Sequence, residues 1–126
     1  MYNNEKTEFL EYLELSLKSS EEEIKELSGE DRNDEANHVK VKANIFQIFK
    51  TVFLGVVNQK ALDKEEVKNL FQAKTESIPA NWKKSLENAR AFKDTEKTMI
   101  EEIKLQTLEE IRTTFLRIWE EQYDRD

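Results

Sequence analysis

The apolar positions of this chain recur every three to four residues along most of its length, the period of amphipathic helices packed on one another. In the first such segment, predicted over residues 4–27, Phe9, Leu10, Leu13, Leu17, Ile24 and Leu27 share one arc. Ser16 and Ser20 lie beside that arc, where small side chains let a neighbour approach closely. Ser28-Gly29 marks its end, with the glycine available for a left-handed C-terminal cap, and residues 30–34 form a short polar connection.

The second segment, residues 34–58, holds the densest apolar stretch: nine of the thirteen residues 45–57 are apolar. Ile45, Phe46, Ile48, Phe49, Val52, Phe53, Val56 and Val57 cover roughly half of the helix circumference. Gln47, Lys50 and Thr51 hold the other side, with only Leu54 among them. A bilayer needs about 20 consecutive apolar residues; this run is shorter and carries a lysine, so it does not span a membrane. Half a circumference is wider than one neighbour covers, so this helix is expected at the centre of the fold.

Asp63-Lys64-Glu65-Glu66 has the spacing of a capping box, in which the aspartate accepts from first-turn amides while the glutamate reaches back. A third helix follows over 64–77, with Val67, Leu70, Phe71 and Lys74 on one face. Ile78-Pro79 interrupts it, because a residue before proline is pushed out of the helical region, and Pro79 suits the first position of a fourth helix. Trp82, Leu86, Ala89 and Phe92 carry that helix inward. Asp94-Thr95 can cap a fifth helix, although Met99, Ile100 and Ile103 also continue the apolar phase, as in one long rod. The stripe Ile103, Thr107, Ile111, Phe115 and Ile118 runs towards the C-terminus. The pattern predicts one all-α domain over 1–126, an antiparallel bundle of four to five helices, with a globin-like arrangement as the alternative.

Composition narrows what such a bundle does. The 126 residues include no cysteine, which excludes disulfides, thiolate metal sites and cysteine nucleophiles. Two glycines and one proline leave little material for long loops or for a glycine-rich phosphate loop. The opening MYNNEKTE has neither the basic nor the apolar region of a secretory signal, so a cytoplasmic location is expected. The net charge of −7 is unevenly spread: −8 over 1–35, +6 over 36–93 and −5 over 94–126. Complementary packing of neighbouring helices accounts for that layout, and the overall negative charge disfavours nucleic acid.

Candidate chemistry is sparse. His38 is the only histidine; the paired motif of a bundle metal site has no second copy, so neither a metal nor another cofactor is expected. No context marks a nucleophile, and the carboxylates fall on arcs expected to be exposed, so an enzyme is not expected either. His38 and Lys42 do share the apolar arc of the second helix near its N-terminal end. They either pair with carboxylates, most simply those of the first helix, or form the cationic mouth of a pocket floored by Phe46, Phe49 and Phe53. Such a pocket suits a small carboxylate-bearing amphiphile. A second candidate surface is the edge of the last helix formed by Leu105, Arg112, Leu116, Trp119 and Tyr123, which either packs within the chain or seats a second copy. The expectation is a small acidic, non-catalytic regulatory or interaction module, of the inhibitor, adaptor or immunity type. It would present helical surface to a protein partner and form a homodimer; ligand sensing is the alternative, and a nucleic-acid-linked accessory role is remote.

Overall fold

The computed structural model describes residues 2–59 and 62–121. Within them the chain forms α1 (Asn3–Gly29), α2 (Asn33–Val57), α3 (Lys64–Ser77), α4 (Ala80–Ala91) and α5 (Thr95–Glu121), and no strand. Cross-helix pairs show the directions. Tyr2 and Phe9 meet Trp119 and Phe115, while Tyr12 meets Glu110, so α1 and α5 run antiparallel. His38 meets Glu96 and Phe53 meets Trp119, so α2 and α5 run parallel. In α3, Lys64 lies by Trp119 and Glu76 by Arg112, again antiparallel to α5. The result is an all-α bundle of four legs, up-down-up-down, whose third leg is broken into α3 and α4. The parallel pair α2 and α5 touch across the diagonal.

The central place expected of the second helix is found. Ile45, Phe46, Phe49, Phe53, Val56 and Val57 of α2 are buried against α1, α3 and α5, and Phe49 also meets Trp82 of α4 edge-on. Aromatic rings concentrate at one end of the bundle. Phe9 lies within 6 Å of Phe53, Phe71 and Phe115, with centroids 4.8, 5.6 and 5.2 Å away. Phe115 in turn stacks on Trp119 at 4.8 Å. Edge-to-face contacts of this kind add to the burial of so much apolar surface.

The helix ends follow local rules, with departures from expectation. The capping box at Asp63 and Glu66 is present on both sides. Gly29 is not the left-handed cap: it ends α1 in helical conformation, and the left-handed residue is Asp31, at φ 59°. The Arg32 amide donates to Leu27 O and the Asp31 amide to Ser28 O, the paired bonds of a Schellman closure. That closure needs its left-handed residue two positions after the last helical one, and the helix simply extends through the glycine. The same closure ends α4, with Lys93 at φ 56° and the Asp94 amide donating to Ala89 O. This turn decides between rod and break: α4 and α5 are separate and fold back on each other, with Asp94 capping α5 through the Lys97 amide. Phe92 stands at the turn and is 83% exposed rather than inward.

The break at proline also has a different cause from the one expected. Ile78 keeps helical angles, φ −61° and ψ −44°, and Pro79 is the residue before α4, not its first residue. Proline has no amide to donate back into α3, and its own ψ of 2° turns the chain. Not every carboxylate is exposed either. Glu5 and Glu101 are buried, held by Lys64 at 3.6 Å and Lys104 at 3.1 Å. The lysine beside Glu5 comes from another helix, which a one-helix projection does not show, whereas Lys104 stands three residues from Glu101 on α5 itself.

Candidate functional site

Among the described residues, α1 and α5 are joined by side-chain pairs at one end of the bundle. The pairs that join them come from residues 2–12 and 110–119: Tyr2 with Trp119, Glu8 with Arg117, Phe9 with Phe115, and Tyr12 with Glu110. Beyond the Tyr12–Glu110 hydrogen bond of 2.9 Å, a trough opens between the two helices above the N-terminal half of α2. It consists of two adjoining cavities of about 380 and about 300 Å³ that share Glu23, Lys42 and Glu110.

The walls follow from the helical repeat. On α1, Tyr12, Ser16, Ser19, Ser20 and Glu23 face the trough, with Leu15 on its lip. Serines leave the gap that larger side chains would fill. The Ser20 hydroxyl is buried and donates to Ser16 O, so it is satisfied within its own helix. On α5, Ile103, Gln106, Thr107 and Glu110 form the opposite wall. Thr107 also returns its hydroxyl to its own helix, at Ile103 O. The floor is His38, Val39, Lys42 and Phe46 of α2. From His38 to Phe46 is about 12 Å along α2 at 1.5 Å per residue.

His38 both lines this trough and pairs with a carboxylate, but the partner is Glu96 of α5, at 3.0 Å, not a residue of the first helix. Lys42 is half-buried and makes no ion pair among the described residues. Tyr12 guards the closed end. Its burial, reinforced by the neighbouring Glu110 carboxylate against hydrogen bonds that favour ionisation, keeps the phenol protonated well above its ordinary value of 10.0.

The five residues of the expected pocket are therefore only partly brought together. His38, Lys42 and Phe46 meet at the trough floor. Phe49 and Phe53 do not line it; they are fully buried among Phe9, Phe71, Trp82, Phe115 and Trp119. The edge expected on the last helix is divided too. Trp119 is buried and its indole donates to Lys64 O at 3.0 Å. Arg112 pairs with Glu76 of α3 at 3.2 Å, Leu116 packs half-buried on the core, and Leu105 is half-buried. Tyr123 lies outside the described residues.

The chain pattern did not single out Leu15, Glu23, Val39, Gln106 or Glu110, and it placed Ile103 and Thr107 only in the apolar stripe of the last helix. One signal was present: Leu15 is apolar but stands off the arc of α1, and it is 65% exposed. Ser16 and Ser20 were legible as sites of close approach; instead they border a gap. Among the described residues no helix is long and apolar enough to cross a membrane, and no group of three or more His, Asp or Glu stands together as a metal site. Compared with known protein families, with curated proteins and with solved structures, the chain matches none.

Proposed function

We propose that this chain is a non-catalytic interaction module whose recognition surface is the trough between α1 and α5, which receives a segment of a protein partner. The observation that supports this reading is the parting of two adjacent legs of the bundle above His38, Val39 and Lys42. Three helices there enclose a concave surface two turns long, with an exposed leucine on its lip. A trough between helices is the shape into which a partner helix lays one face. The buried indole of Trp119 and the Arg112–Glu76 pair favour internal packing for the edge of α5.

A photo-crosslinking residue placed at Ser19, on the trough wall, tests this in cells that express the protein. Asn69, exposed on α3, is the control position. The expected outcome is a discrete protein adduct through position 19 and none through position 69. An adduct of twice the chain's 15.0 kDa makes the occupant a second copy; any other mass makes it a different protein. No adduct, or the same adduct from both positions, overturns the reading.

A further inference from the structure

The charges around the trough narrow what it receives. On α1, Leu15 and Ser19 edge the trough, and Glu22 and Glu26 continue their line at spacings of three and four residues towards the C-terminal end of the helix. Glu23 projects beside them into the trough. Glu22, Glu23 and Glu26 carry no ion pair among the described residues. At about 100° per residue, Lys18 and Lys25 fall on the opposite side of the helix from Ser16, Ser20 and Glu23, and flank Glu22 on the side away from the trough. Across the gap, Glu110 lines the α5 wall. The positive charges of the lining are outnumbered: His38 is already held by Glu96, and Lys42 faces a trough it shares with Glu23 and Glu110.

Apolar surface runs along the same trough. Val39 and Ile103 are only partly covered, and Leu15 is 65% exposed. Met99, 43% exposed, stands one turn before Ile103 on α5. An acidic lip around a partly apolar trough fits an occupant with one apolar stripe and cationic flanks.

We propose that the trough takes a basic amphipathic helix of a partner protein, with its apolar stripe over Val39 and Ile103 and its lysines or arginines against Glu22, Glu23, Glu26 and Glu110. This rests on the trough being the recognition surface, and it adds the charge class of the occupant. Binding weakens as ionic strength rises, because the acidic lip is exposed and screened.

The test uses the ¹⁵N-labelled chain and two synthetic amphipathic peptides of about five helical turns, one of leucine and lysine, the other of leucine and glutamate. The leucine–lysine peptide is expected to shift the amides of Ser16, Ser19, Val39 and Gln106. The triple variant E22K/E23K/E26K is expected to bind it at least about tenfold more weakly. Lysines near the C-terminus of α1 suit its dipole, and circular dichroism checks that the variant stays folded. Equal or preferred binding of the leucine–glutamate peptide at the same amides overturns the basic class and leaves the trough standing as the recognition surface. Shifts spread elsewhere, or none with either peptide, overturn this inference; the adduct at Ser19 decides the trough separately.

Discussion

Single residues in this protein do one of two jobs, filling the aromatic end or shaping the trough, and their substitutions should separate accordingly. Phe49 is fully buried between Phe71 and Trp82. Phe49→Ala is expected to lower the unfolding free energy by about 3–5 kcal/mol, a large share of what a small domain has. A thermal melt that moves by only a degree or two would place Phe49 outside the core. Tyr12 offers a pH test. Its folded-state pKa is raised above the unfolded 10.0, so its contribution to stability is fully present below pH 10.0 and is lost as pH rises through the folded value. The Tyr12 ring signals should therefore show no titration at pH 10.0 in the folded protein, and Tyr12→Phe should flatten the fall of stability in alkali. A Tyr12 that titrates at its ordinary value contradicts the burial and the Glu110 contact together.

At the scale of the element, the two Schellman turns are where the chain holds strain. Asp31 and Lys93 take left-handed angles that cost a residue with a Cβ roughly 1–2 kcal/mol, yet neither of the two glycines stands there. Lys93→Gly removes that cost and adds back some backbone freedom in the unfolded chain. The expected net gain is about 0.5–1 kcal/mol, read as a rise in denaturation midpoint at unchanged slope. An unchanged or lower midpoint would show that the Lys93 conformation is not strained. The α1–α2 connection is additionally clasped by Arg32, which bonds both Glu30 and Glu35. The bond from Arg32 holds the Glu35 carboxyl below its usual range. Because all three groups are exposed, that clasp orders the turn more than it stabilises the fold.

For the whole molecule, what matters is that its two ends are built differently. Phe9, Phe53, Phe71, Phe115 and Trp119 gather the legs at one end, whereas Ser16, Ser19, Ser20 and Thr107 stand between them at the other. A small carboxylate-bearing amphiphile at the second end would meet Lys42 but also Glu23 and Glu110. Millimolar medium-chain carboxylate is therefore expected to leave the melting temperature of the wild type unchanged. A rise that Lys42→Glu abolishes would restore a ligand-sensing role.

The sequence by itself determined the helices, the capping box at Asp63 and Glu66, and the centrality of α2, because each follows from local periodicity or from residues within one turn of each other. It also showed that the buried face of α2 turns polar at His38 and Lys42. Only the tertiary structure decided what those two residues face. His38 finds Glu96 from 58 positions away, a choice made by the parallel pairing of α2 with α5 rather than by any spacing along the chain. The trough likewise exists because large rings hold α1 and α5 together at one end while serines leave them apart at the other. Volumes packed between elements settle such a gap, and a helical projection treats each element alone.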